Sequence, residues 1–584
     1  MSDRTWYPLG PKHTTARRTI RAAAGTVPVD PLIGPRLALA GRVVTMNNSF
    51  KVHADAVVYI DKGRIVDIRP RAQAAPPGFD ATPVVETGGT LYPGLIELHN
   101  HLAYNALPLW SPVPRRFEHR GQWPDHPDYR KLISGPMTVV GQYRDAQGKA
   151  ALLAPLVRYV ECKCLLGGVT TSQGVMLNSN AGIRRFYRGI VRNVEQTDEP
   201  DLPEAQARIP DIDARDARSF LARLNKEDSC LLLHLSEGLS RMPDSVARKH
   251  FLALEVAPGQ WALNKMFAGI HAAGLRPEDF DVLAEHGSSI VWSPLSNLLL
   301  YGGTARVDAA RRAGVTIALG SDWSPTGSKN LLGEMKVAWL HSQQTLNGLL
   351  SARDIVAMAT RDAARVLKWD KALGTLSRGM RADLLVLDGT PADPYLALLK
   401  AKETDLRLVM INGIARYGVP SVTKALAPTD QSIRVGGQSR RLYLKQDTGD
   451  PDVAPVSLAK ARTTLKGALA KIAKLAKDLE MPRPKMRAAP LDARSRPEWT
   501  IALDEICDCG VEFAPRLAFN GPRDFSGVDR APRLLAARAP KLSTVLKPIE
   551  LDPLTVADDP NFLDRIEQQP NIPAELRVAL RDLY

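Results

Sequence analysis

The chain has 584 residues, too long for one ordinary core, and two or three domains are expected. Hydrophobic residues make up 44% and charged residues 24%, the balance of a soluble globular enzyme, and no window approaches the roughly 18 apolar residues of a membrane span. The net charge of +14 puts anions and nucleic acid among the partners to be weighed.

Residues 1–36 are basic and lack the apolar stretch of a secretory signal, so they read as a short N-terminal arm. Residues 37–93 then alternate in short runs, "GRVVTM", "DAVVYI" and "GRIVDI", separated by turn residues such as "NNS" and "DKG". That is the texture of antiparallel sheet. It returns in "GTLSRGMRADLLVLDG" and "LRLVMINGIARYG". One small β-sandwich domain built from both flanks, 37–93 and 371–420, is therefore expected.

Between the flanks, residues 94–370 alternate short apolar strands with helical patterns, as β/α units on a parallel sheet do. Strands are expected at 94–101, 168–174, 189–194, 230–236, 266–271, 289–293 and 315–321, with an eighth at 205–210. Helices are expected at 151–166, 213–226, 277–286, 304–313, 329–346 and 351–368. Eight strands over about 280 residues match a (β/α)8 TIM-like barrel.

Residues i and i+2 of a strand face one side, so His99 and His101 in "LYPGLIELHNHLAYN" project together from the end of the first barrel strand. His234 with Glu237 ("CLLLHLSEG"), His271 ("FAGIHAAG") and Asp322 ("VTIALGSDWSP") stand at the ends of later strands. Barrels carry their active sites at those ends, and neutral imidazole is a common metal ligand. Each residue alone reads as structural. Four of the chain's 11 histidines at such ends, together with the acids, read as a metal site.

Residues 421–584 form a mostly helical C-terminal extension of unknown role, without a chemistry-bearing motif. The stretch 457–480 has the spacing of one amphipathic helix, and "MPRPKMRAAP" after it reads as a linker. Residues 431–500 carry 15 Lys/Arg against 7 Asp/Glu. Without aromatic interleaving, zinc-finger spacing or a helix-turn-helix pattern, they read as a solvated basic face. The five cysteines (162, 164, 230, 507 and 509) include two C-x-C pairs too tight for an ordinary disulfide, which fits a reducing cytoplasm. A metal site built from "ECKC" and "CDC" is the competing use, and simple packing the plainer one.

The motifs "PGLIELHNHL", "LLLHLSEG", "GIHAAGLRPEDFDVLAEHGSSIVWSPLSNLLLYGG" and "AGVTIALGSDWSP" resemble, in order and spacing, the cytosine-deaminase-like and chlorohydrolase-like branch of the amidohydrolase superfamily. The resemblance spans roughly residues 36–420 and leaves the C-terminal extension unexplained. It implies that His99, His101, His234 and Asp322 hold one divalent metal, Zn²⁺ first and Fe²⁺ second, since three imidazoles and a carboxylate suit a borderline transition metal. It implies that Asp322 takes a proton from the attacking water, that Glu237 protonates the substrate and that His271 steadies the developing oxygen charge. Related branches bridge two metals with a lysine. Lys163 lies in an expected helix and not at a strand end, and Glu195 after "GIVRNV" is the alternative bridge, so one metal is expected.

The implied reaction is hydrolysis of a non-peptide carbon–nitrogen bond, deamination of a heterocyclic amidine first. Hydrolysis of a cyclic amide, or of C–Cl or C–S on a heteroaromatic ring, uses the same ligands. An assembly protein would have lost ligands that this chain keeps, and a nucleic-acid binder would work through the basic C-terminal third. The expected partner is a small molecule, with no membrane, and a homo-oligomer is compatible with the extra region. The insertion at 103–137 carries Tyr104, Trp110, Arg115, Arg116, His119, Arg120 and Trp123, and reads either as a lid whose arginines grip a carboxylate or phosphate, or as a solvated loop. Trp292, Asn297 and Trp323 follow strand ends and, with Tyr104, are candidate pocket residues.

Overall fold

The computed structural model describes residues 32–179, 184–197, 199–209, 211–239, 245–428, 430–446, 450–481, 499–502 and 540–584. Most of the expected arm, nearly all of the linker after residue 480, and Cys507 and Cys509 lie outside the described residues.

The two β flanks meet in one nine-stranded sheet. Leu384–Asp388 is its central strand, and Val84–Pro93 beside it runs antiparallel to it and parallel to Leu37–Val44 on the other side. With Val52–Asp61 and Leu406–Ile411 on the outer sides, these strands bury Leu39, Val58, Leu91, Leu384 and Leu408 in one cluster. The sheet does not stop at residue 420. A hairpin of Gln431–Val435 and Gln438–Leu442 extends its edge.

The chain between the flanks is α/β. Eight short parallel strands form two ladders rather than one. Gln206–Arg208, Leu231–Leu235, Phe267–His271, Ser289–Trp292 and Thr316–Leu319 make five, and Leu95–Glu97, Val169–Ser172 and Arg192–Asn193 make three. A few backbone hydrogen bonds join the edges. Ala205 N–H donates to Val194 O (2.8 Å), and His101 N–H donates to Asp322 O (2.7 Å) while Asp322 N–H donates to His99 O (2.9 Å). The ladder is thin at Arg192–Asn193 because side chains take over its backbone donors. The buried Glu161 carboxylate accepts from Ile190 and Val191, and Asn193 Oδ1 accepts from Glu195 and Gln196.

Three helices depart from expectation. Pro294–Tyr301 is helical, buried on every side and opened by a proline in its first turn, so it lacks the polar stripe by which periodicity finds a helix. The stretch 351–368 breaks into Ala352–Met358 and Arg361–Leu367, and the break frees Ala359 O to accept from Ile96 N in the first strand. The stretch 457–480 likewise divides at Lys471 into Leu458–Ala470 and Ile472–Glu480.

The C-terminal residues pack onto the α/β region. Leu458–Ala470 lies on Leu153–Leu166, and Ala574–Asp582 lies on Leu331–Thr345. Gln569 donates to Trp110 O and accepts from Val113 N, and Asn571 donates to Arg115 O and Leu299 O. The insertion 103–137 is thereby covered, and Trp110, Phe117 and Tyr129 are buried. No helix among the described residues is long and apolar enough to cross a membrane.

Candidate active site

His99, His101, His234, His271, Glu237 and Asp322 meet at the C-terminal ends of the parallel strands. Local backbone puts them there. The strand ends turn sharply, with positive φ at Ser236 (49°), His271 (67°) and Asp322 (66°), a conformation costly for non-glycine residues and concentrated at functional sites. The turn at Asp322 is held by Glu97 in the first strand, whose carboxylate accepts from Ser321 N (2.7 Å) and Ser321 Oγ (2.8 Å). Gly320 lets this turn approach, since a Cβ there would lie 2.3 Å from that of His99.

The ligand atoms of His99, His101 and His234 lie within 4.8 Å of one another, and so do those of His99, His271 and Asp322. His101 Nε2 and His234 Nε2 face each other at 3.2 Å. His99 Nε2 lies 3.1 Å from Asp322 Oδ1 and His101 Nε2 lies 3.5 Å from it. The His99 approach is close but not aligned as a hydrogen bond, and both its ring nitrogens and His234 Nδ1 are buried without a partner. Burial pushes the pKa of His99, His234 and His271 below the ordinary histidine value, so these rings are neutral and keep lone pairs to give. Burial alone would raise the Asp322 carboxyl, but the surrounding imidazoles, His99 foremost, hold it well below the usual range. Converging lone pairs, orphaned nitrogens and an ionised carboxylate fit a divalent cation.

Glu237 and His271 stand beside this cluster. Burial pushes the Glu237 carboxyl up to about 7 against the opposing charge of Arg120, so it holds a proton near neutrality. Its Oε1 accepts from Tyr301 OH (2.7 Å), which accepts from Trp123 Nε1 (3.0 Å) in the insertion. Asn297 Nδ2 donates to His271 Nδ1 (3.0 Å), which leaves the ring proton on Nε2, 3.6 Å from Glu237 Oε2.

A sequence model described as the amidohydrolase family matches residues 230–417, which carry His234, Glu237, His271 and Asp322. The 5-methylthioadenosine/S-adenosylhomocysteine deaminase of Symbiobacterium thermophilum is 25% identical over 425 residues, 65% of this chain and 92% of that protein. Over residues 230–417 the chain matches the amidohydrolase family. A second relative named as such a deaminase, from Syntrophus aciditrophicus, is 32% identical over 193 residues, 31% of this chain and 44% of its own. Among solved structures, an atrazine chlorohydrolase variant from Arthrobacter aurescens, complexed with zinc and atraton, superposes with a TM-score of 0.50 at 21% identity. That alignment covers 65% of this chain and 94% of the other and speaks for the fold.

A pocket open to solvent lies over the cluster. Tyr104 and Trp323 line it, their ring centroids 4.8 Å apart, as do Trp123 and Tyr129 from the insertion. Trp292 and Asn297 do not. They are fully buried behind His271 in a relay where Trp292 Nε1 donates to Thr304 Oγ1 and Thr304 Oγ1 donates to Asn297 Oδ1. Lys163 is not at the cluster. Its ammonium donates to Asn105 O, Ser324 Oγ and Asp552 from the C-terminal region. Glu195 accepts from Gln173 Nε2 and Gly174 N, and the same Gln173 Oε1 accepts from Asn100 N between the two histidines. Cys162 and Cys164 are buried, and burial pushes both thiols up, which suits packing and not ligation. Sequence reading missed Tyr301 as the partner of Glu237. The usable signal was its i+4 spacing from Asn297, which puts both on one face of a helix.

Proposed function

We propose that this protein is an amidohydrolase that deaminates a heterocyclic amidine, using one divalent metal, Zn²⁺ first and Fe²⁺ second, held by His99, His101, His234 and Asp322. The observation that carries the reading is the convergence of orphaned histidine nitrogens on the Asp322 carboxylate, with a protonatable Glu237 beside them. A cation held there would lower the pKa of a bound water toward about 7 and supply hydroxide at neutral pH. Asp322 orients the water and accepts its proton. Glu237, protonated, lies within reach of a ring in the pocket and gives its proton to the ring nitrogen as the carbon is attacked. Asp322 then passes the proton it took to the amino group, the carbon–nitrogen bond breaks to release ammonia, and Glu237 recovers its proton from the hydroxyl that becomes the product carbonyl. His271, with its proton on Nε2, faces the oxygen that enters. Tyr104, Trp123, Tyr129 and Trp323 supply flat faces for the ring.

The relatives named as deaminases support this choice among the reactions that share the ligand set. The eight strands, joined at both edges, are read as a (β/α)8 barrel, with residues 37–93 and 371–442 as the β domain beside it. The deciding experiment is ammonia release from a panel of purines, pyrimidines, triazines and hydantoins. Release from at least one amino-substituted ring is expected. Ring-opened acids or chloride without ammonia would overturn deamination in favour of another hydrolysis.

A further inference from the structure

The insertion 103–137 places one arginine where a substrate must pass. Its residues 118–120 pair with the end of the strand that carries His234. Leu239 N–H donates to Glu118 O (2.9 Å), Arg120 N–H donates to Glu237 O (3.1 Å), and His119 bridges to Gly238. The approach is close enough to require glycine at 238, where a Cβ would lie 2.2 Å from Glu118 O. Arg120 is thus anchored by its own main chain to the main chain of Glu237.

The Arg120 side chain is buried, unlike Arg115 and Arg116 of the same insertion. One end of its guanidinium, Nη2, is held by Asp211. The other, Nη1, is buried with no hydrogen-bond partner, and Arg120 lines the pocket with Glu237, His101, Tyr129 and Trp323. An unmet guanidinium donor in a dry site is costly unless something arrives to accept from it. Asp211 reaches solvent, with 26% of its side chain exposed against 5% for Arg120, so it screens the guanidinium from one side only.

We infer that Arg120 is a substrate-recognition residue, whose free Nη1 donor takes a negatively polarised oxygen, a ring carbonyl or a carboxylate, on the heterocycle bound over the metal cluster. The inference rests on the proposed reading for the position of the ring and deepens it by naming an oxygen substituent. A planar oxygen acceptor suits the one free donor. A phosphate would need several, and the other exposed arginines of the insertion lie outside the pocket lining. A buried donor built for an oxygen also discriminates strongly, because a ring without one leaves the donor unmet.

The test is calorimetric binding of 2-pyrimidinone, pyrimidine-4-carboxylate and plain pyrimidine to metal-free protein, which reads recognition without requiring turnover. Binding of an oxygen-bearing probe at least about tenfold tighter than pyrimidine is expected, with Arg120→Met removing the preference and Arg120→Lys removing part of it. The carbonyl and carboxylate probes distinguish the two oxygen sources. Asp211→Asn, which frees the ion pair but keeps the donor, is expected to preserve the preference. Equal affinity for all three probes, no binding of any, or a preference that survives Arg120→Met would overturn the inference. Probe preference without ammonia release would leave it standing and count against the deaminase reading alone.

Discussion

Two buried polar clusters lie close together in this molecule and differ in one respect. Lys163, Lys329, Asp552 and Asp559 are each at most 5% exposed, as dry as the histidine cluster. The three protons of Lys163 meet three acceptors, on Asp552, Ser324 and Asn105, and Lys329 reaches the other oxygen of Asp552 and, at 2.8 Å, Asp559. The histidine cluster leaves three nitrogens, both of His99 and one of His234, without hydrogen-bond partners, against a single oxygen, Asp559 Oδ2, in the lysine cluster, and that oxygen still lies 2.8 Å from the Lys329 ammonium. A network in which every charge faces an opposite charge reads as structure. An unsaturated one of similar burial reads as a seat for something absent from the chain.

The largest effect that sharpens this contrast is His234→Ala. Bound metal, measured by elemental analysis of purified protein, should fall from about one per chain to none and activity should vanish with it, while thermal stability of the apo protein holds. A parent protein purified without metal would break the contrast at its root. Glu237→Gln should keep the metal and lose about 10²- to 10⁴-fold in kcat, read from single-substrate kinetics beside metal content.

Asp552→Ala should behave in the opposite way, costing about 3 to 5 kcal/mol of stability in denaturant unfolding because the buried Lys163 ammonium loses its carboxylate and Lys329 keeps only Asp559. The acid limb gives a further check. Burial alone would raise the Asp552 carboxyl, and Lys163 and Lys329 reverse this and lower it. A carboxyl lowered in the folded state contributes stability that is present above its ordinary value and lost as pH falls through the lowered one. The stability gap between the parent and Asp552→Asn should therefore narrow below about pH 4, measured by thermal melts across pH. Smallest is Asn297→Ala, expected to reduce kcat about 10- to 100-fold by loosening the tautomer of His271, with metal content unchanged.

Much of the histidine cluster was legible because its logic is local. Alternation in a strand pairs His99 with His101, and apolar runs ending in His234, His271 and Asp322 mark one end of a parallel sheet. The insertion was not legible in the same way. Trp110 and Tyr129 point inward because Gln569 and neighbouring residues cover them, and nothing in the insertion announces a partner 459 residues on. Trp292 and Asn297 were assigned to the right region but to the wrong depth, since sequence position after a strand does not say whether a helix such as Pro294–Tyr301 turns a side chain to the pocket or behind it. The β sheet was legible in its flanks, but its edge hairpin fell beyond the familiar boundary.

The pairing of Lys163 with Asp552 also sets a timetable. The two are 389 residues apart. At roughly 5 to 20 residues per second, the ribosome delivers the aspartate on the order of 20 to 80 s after the lysine. Throughout that interval Lys163 lacks the carboxylate it meets in the complete chain. The packing around Lys163, which also holds Ser324 two residues after Asp322, is therefore completed only by the tail.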